Sequence, residues 1–167
     1  IAEKKGIRVV KDFFSLLLSR EIVDKHKRAD LIIANNVYAH VPDIIDFTKG
    51  IYNLLASEGV VSIEFPHILN LIQENQFDTI YHEHFSYLSL TAVQYIFKKC
   101  SLKIINVDEI DTHGGSLRVW GAKQSSKRTP SKAVNNILKI ENDAGIRDRQ
   151  FYFKLKVAAD KIKINFL

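Results

Sequence analysis

Apolar residues in this chain fall into short solid runs separated by stripes at helical spacing. Ile1 to Lys5 reads as a helix tail closed by Gly6, and the β-branched run Ile7 to Val10 reads as a strand. Ser15 to Asp24 carries Leu16, Leu17, Leu18, Ile22 and Val23 at helical spacing. Asp30 to Val37 is a nearly continuous apolar stretch, which predicts a strand buried on both faces. Pro42-Asp43 opens a helix with its stripe on Ile44, Phe47, Ile51, Leu54 and Leu55, and Gly59 is expected to stop it. Val60 to Pro66 is a second buried strand.

Thr91 is placed to cap a helix whose inward face is Val93, Ile96, Phe97 and Cys100. Leu102 to Val107 and Leu117 to Ala122 read as two more strands. Helical patterns follow at Ser131 to Ala144, stopped by Gly145, and at Asp148 to Phe166. Strands that alternate with helices predict an α/β fold, a mostly parallel sheet with helices on both faces. The last two strands have no helix between them, so they predict an antiparallel hairpin at the sheet edge. Lys123 to Pro130 is the most loop-like stretch and separates the sheet from the helical tail.

Composition narrows the classes. The chain has 167 residues, enough for one domain with a full core, and 46% of them are hydrophobic. No apolar run reaches the roughly 18 residues a membrane span needs, and no secretory signal pattern opens the chain, so no membrane partner is expected. Cys100 is the single cysteine, which rules out an internal disulfide and makes a reducing, cytoplasmic setting the expectation. The net charge is +5, but the basic residues are scattered and not interleaved with aromatics, so nucleic acid is not the expected partner. An anionic small molecule fits that mild excess. The chain has no methionine and opens on a helix tail, so it reads as a piece of a longer protein.

In open α/β sheets ligands gather beyond the carboxyl ends of the strands. Here those ends carry Asp12-Phe13-Phe14, Asn35-Asn36 and Glu64-Phe65-Pro66-His67. His40 follows Asn36 at the start of a helix, where it is either a solvated linker residue or a neutral imidazole able to exchange a proton. Asp78 to Tyr87 is the richest stretch, with Tyr81-His82-Glu83-His84 at its centre. Such groups supply a base, a partner to orient it and a phenol to stabilise negative charge. A solvated aromatic loop and a metal site remain alternatives; His82 and His84 give only two nitrogens, and the spacing is not the helical His-Glu-x-x-His pattern. Thr112-His113-Gly114-Gly115-Ser116-Leu117-Arg118 is either a plain turn between strands or an anion-binding nest with Arg118 supplying charge.

Four stretches together resemble one family: Asn35 to Asp43, Ile63 to His67, Gln76 to Tyr87 and His113 to Val119. They are similar to the SAM-dependent C-methyltransferases that build branched, nucleotide-linked deoxysugars, over about Gly6 to Phe153. The resemblance implies a class I methyltransferase, Rossmann-like sheet, incomplete at its N-terminal side. Residues 1–124 would be the later portion of that core, and residues 125–167 a helical extension leading toward a further domain. It implies S-adenosylmethionine as cofactor and a nucleotide-linked 4-keto-deoxysugar as substrate, methylated through an enolate at the carbon next to the ketone.

By the same resemblance His84 is the candidate base, with Glu83, Tyr81 and His40 as further active-site groups. Asn36, His113, Ser116 and Arg118 would meet the substrate, and Asp12, Phe13, Phe14 and Asn35 the cofactor. The family's cysteine-liganded zinc module and glycine-rich cofactor loop have no counterpart in this sequence. Zinc is therefore expected only in that module, and no metal is expected here. The other readings are a methyltransferase for a different small acceptor and a non-catalytic nucleotide-sugar-binding module.

Overall fold

The computed structural model describes residues 2–166. The expected helix tail is a single 3-10 turn, Glu3–Lys5, which Gly6 closes at φ +75° by donating its N–H to the Glu3 carbonyl; Ile1 lies outside the described residues. Ten regular elements follow in chain order: α1 (Leu16–Lys25), β1 (Ala29–Asn35), α2 (Ile44–Leu54), β2 (Leu55–Pro66), α3 (Ile68–Gln73), α4 (Leu90–Lys99), β3 (Leu102–Ile110), β4 (Ser116–Lys123), α5 (Lys132–Ala144) and α6 (Arg149–Phe166). The sheet order is β1-β2-β4-β3. β1 and β2 pair in parallel, while β4 runs antiparallel to both β2 and β3. Three strands therefore share one direction, and the final hairpin forms as the sequence predicts. The carboxyl ends of β1, β2 and β3 and the start of β4 all meet along one edge.

Alternation along β2 builds the core. Val61, Ile63 and Phe65 point to one face, join Leu117 and Val119 of β4, and are covered by Phe47 and Ile51 of α2, Val93 and Phe97 of α4, and Val134 and Ile137 of α5. Gly121 lets α4 sit this close, since a Cβ there would lie 2.4 Å from a ring carbon of Phe97. A smaller cluster joins α3 to α6 through Leu69, Ile72 and Phe151.

The structure corrects several expectations. Residues 7–10 form no strand, because a strand needs a neighbour to take its backbone hydrogen bonds and none is paired with them. β1 is buried on one face only: Ala34 is in the core, while Leu31 and Ile33 are 53% and 63% exposed. β1 is the edge strand, and the helices of the main core lie on the opposite face, not on both. α2 stops at Leu54, and Gly59 lies inside β2, where a Cβ would come within 2.8 Å of the Ala29 carbonyl. The cap of α4 is Ser89, whose hydroxyl accepts from the Ala92 N–H at 3.0 Å. Thr91 has another role. No helix among the described residues is long and apolar enough to cross a membrane.

Candidate functional site

A cleft of about 470 Å³ opens at the edge where the strand ends meet. Its lining comes from three places: Asn36, Ala39 and His40 after β1, Gln76, Asp78, Thr79, Tyr81 and His84 between α3 and α4, and His113-Gly114 between β3 and β4. Pro66 at the end of β2 forms part of the floor.

The β1 side is rigid for a local reason. Asn36 turns the chain in the left-handed region at φ +53°, with its N–H on the Glu64 carbonyl at 2.9 Å. The following 3-10 turn, Tyr38–His40, is anchored by Tyr38, which is wholly buried. The Tyr38 hydroxyl donates to Thr48 Oγ1 at 2.6 Å, because the Thr48 hydroxyl itself donates to the Ile44 carbonyl. Burial pushes the Tyr38 hydroxyl far above its ordinary value, so it stays a neutral donor. His40 thus projects from a fixed support.

The loop 78–87 supplies the second wall. His84 Nδ1 lies 2.9 Å from the Thr79 carbonyl, so Nδ1 carries the proton and Nε2 holds the lone pair. The Tyr81 hydroxyl donates to that Nε2 at 3.0 Å, and the two rings stand 4.2 Å apart. His40 is held in the same tautomer, with Nδ1 donating to the Glu83 carbonyl at 3.0 Å, and its ring is 4.6 Å from that of His84. Tyr87 closes the far side of His84, edge-on at 5.8 Å. Backbone carbonyls thus orient two imidazoles in one cleft, each with Nε2 as the basic nitrogen.

The third wall is strained at His113, a non-glycine residue at φ +53°, which Gly114 and Gly115 follow at φ +73° and +97°. Gln76 clamps the turn by donating its amide to the Gly114 carbonyl at 2.7 Å.

The predicted residues divide accordingly. Asn36, His40, Tyr81, His84 and His113 are brought together in the cleft. Glu83 contributes its backbone carbonyl to His40, while its side chain is outside the cleft lining. Ser116 is buried, and its hydroxyl donates to the Thr112 carbonyl at 3.0 Å. Arg118 is engaged by Glu64 of the neighbouring strand, Nη2 to Oε2 at 2.8 Å. Neither Ser116 nor Arg118 lines the cleft.

On the cofactor side Asn35 is exposed at the end of β1, and Asp12 accepts from the Phe13 N–H at 2.7 Å. The Phe13 ring is 93% exposed, whereas Phe14 turns inward against Phe47 at 5.2 Å. Phe14 is partly buried and packs against the core. His82 is exposed and does not line the cleft, and no three His, Cys, Asp or Glu among the described residues converge as for a metal.

Gln76, Asp78 and Thr79 also line the cleft, although none of them was assigned a role in the site from the sequence. Asp78 and Thr79 begin the same polar stretch as the tetrad, which was the available signal. Nothing in a sequence marks Thr79 for its carbonyl.

Comparisons with known proteins place the chain in a family. A methyltransferase-domain model matches residues 3–107, and a model described as a C-methyltransferase C-terminal domain matches residues 111–167. The C-methyltransferase NovU of Streptomyces niveus is 32% identical over 163 residues, which is 98% of this chain and 39% of that protein. The chain thus spans well under half the length of this relative. Among solved structures, a SAM-dependent methyltransferase of Thermotoga maritima, a possible histamine N-methyltransferase, superposes with a TM-score of 0.51 at 15% identity, covering 74% of this chain and 67% of that one. That likeness concerns the fold alone.

Proposed function

The chain belongs to the methyltransferase-domain family, and from that premise we propose that the full-length protein moves a methyl group from S-adenosylmethionine to the carbon beside the ketone of a nucleotide-linked 4-keto-deoxysugar. The observation that carries this reading is the Tyr81–His84 pair, a phenol donating to an imidazole whose tautomer is fixed by the Thr79 carbonyl. Removing a proton from the carbon beside a ketone calls for a base and for a donor to the oxygen that gathers charge, and this pair offers both.

S-adenosylmethionine supplies the methyl as an electrophile. Phe13 and Asp12 would hold its adenosine portion and Asn35 would face it from the end of β1; the outward ring of Phe13, with nothing packed over it, suits a stacked base. The sugar carbon becomes a nucleophile only when its proton is removed. In this reading the Tyr81 hydroxyl turns from His84 Nε2 to the ketone oxygen, which frees the lone pair. His84 Nε2 then takes the carbon-bound proton as the electron pair moves onto the oxygen. Tyr81 donates to the oxygen where negative charge collects. The enolate carbon forms a bond to the methyl as the carbon–sulfur bond breaks, with that pair left on sulfur. His40, Asn36 and His113 orient the sugar, and His84 later passes its proton to solvent.

The division of residues 1–124 from 125–167 is carried into this proposal as core and extension, the extension packing on the core through α5 and α6. The test uses the full-length protein with a nucleotide-linked 4-keto-deoxysugar in D₂O, without S-adenosylmethionine. The wild type should exchange the proton beside the ketone, and His84→Asn should lose about 10²–10⁴ of that rate. Undiminished exchange in His84→Asn removes His84 from the role. No methylated product from any 4-keto sugar, once S-adenosylmethionine is added, removes the sugar.

A further inference from the structure

Glu141 lies on α5, outside the cleft, and is completely buried with a carboxylate that accepts four hydrogen bonds. Oε1 takes the Leu90 N–H at 2.6 Å and His67 Nε2 at 2.8 Å; Oε2 takes the Thr91 N–H at 2.8 Å and the Thr91 hydroxyl at 2.5 Å. His67 is itself buried, at the end of β2. A buried carboxylate is costly, and a plain helix end asks for far less, since Ser89 already caps α4.

The position of the bonded groups shows what this arrangement joins. The His67 N–H donates to the Gly115 carbonyl at 3.1 Å, which ties it to the strained turn His113 to Gly115. His67 also bridges to Leu88, and the Ile68 N–H donates to the Leu88 carbonyl at 3.0 Å. Leu88 ends the loop that carries Tyr81 and His84, and Leu90 and Thr91 begin the helix after it. One carboxylate therefore touches both structures from which two walls of the cleft hang.

We propose that Glu141 is a positioning residue that, through His67, sets the separation between the His113–Gly115 turn and the Tyr81–His84 loop. This rests on the reading of the cleft as the reaction site. Neither residue touches substrate. Removing the carboxylate charge leaves the walls present and lets them drift, and displacement of about 1 Å at a reacting centre costs about a hundredfold in rate.

The test compares wild type, Glu141→Gln, His67→Gln and the double variant as full-length proteins. Steady-state kinetics with a nucleotide-linked 4-keto-deoxysugar and S-adenosylmethionine are read beside imidazole NMR of the ligand-free proteins. Each single variant should lower kcat by about tenfold to a hundredfold, with KM for S-adenosylmethionine nearly unchanged. The double variant should lose no more than the worse single one, because the two act through one contact. The His84 and His113 resonances should move in each variant, while that of His26, outside the cleft, stays in place.

A role confined to capping α4 gives a lower melting temperature with kcat and both resonances unmoved, and that result overturns the proposal. So do additive losses, or a KM for S-adenosylmethionine that rises as far as kcat falls. If Glu141→Gln fails to fold, His67→Gln carries the same comparison, since it leaves the three α4 bonds to Glu141 intact. If the wild type acts on no keto sugar, the substrate reading fails by itself. The imidazole resonances then decide alone: movement upholds the coupling of the walls, and stillness overturns it.

Discussion

Two neighbouring strands with much the same apolar sequence end in opposite surroundings. In β2, Val61, Ile63 and Phe65 are wholly buried under α2, α4 and α5. In β1, Leu31 and Ile33 are half exposed or more, and before them Ile7, Val9 and Val10 lie open without a strand partner. An apolar run records a demand for burial and not the identity of what does the burying. The half of the molecule built around β2 meets that demand from within the described residues; the half around β1 does not. The cleft lies where the two halves meet, with Asn36 and His40 following β1 and Pro66 ending β2.

The sharpest way to break this contrast is to hollow the packed half. Phe97 is buried against Gly121 and Val61, so Phe97→Ala should destabilise the fold by about 3–5 kcal/mol in urea unfolding. A loss below about 1 kcal/mol would mean that this core packs no better than the open face.

Next in size is an effect of acid on the same half. Burial by itself would raise the Glu141 carboxyl, yet the hydrogen bonds from His67, the Thr91 hydroxyl and the Thr91 and Leu90 amides together hold it below the ordinary glutamate range. A depressed folded value contributes stability that is fully present above the unfolded glutamate's pKa. That contribution is lost as the pH falls through the lower folded value. Stability against acid should therefore drop less steeply in Glu141→Gln than in wild type over that interval, measured by urea midpoints at successive pH values. Parallel pH profiles would show that Glu141 is not ionised as the geometry requires.

How much of this was legible beforehand follows from which interactions are local. α5, stopped by Gly145 at φ +83°, and α6 begin and end within a residue of the sequence pattern, because stripe and cap are set by neighbours along the chain. The hairpin of β3 and β4 was readable too, although β3 runs on from the expected Val107 to Ile110. The reading of β1 failed on its outer face, since burial there depends on elements that its own residues do not encode. At the site, Tyr81, His84 and His40 were named for their chemistry, and the cleft gathers them. His67 and Glu141, separated by 74 positions and joined at 2.8 Å, carry no local sign of each other. Ser116 and Arg118 drew notice by standing beside a glycine pair, but side-chain direction in a strand alternates, and a strand neighbour, Glu64, had the stronger claim on Arg118.

The smallest predicted effect probes the open half most directly. Ile33 is 63% exposed, and its side chain leaves little apolar surface to lose. Ile33→Ser in this 167-residue chain should therefore change stability by no more than about 0.5 kcal/mol. The same substitution at Ile63, wholly buried on the adjacent strand and paired in register with Ala34, falls under the core rule, where truncation costs several times more. The pair of measurements isolates position from chemistry, because the residue type, the strand propensity and the substituted side chain are identical. Repeating Ile33→Ser in the full-length protein then asks what the open face is for. A cost that grows toward that of Ile63 means the longer chain covers β1 and completes its burial. An unchanged small cost means that Leu31 and Ile33 face water there as well, and that β1 remains an edge.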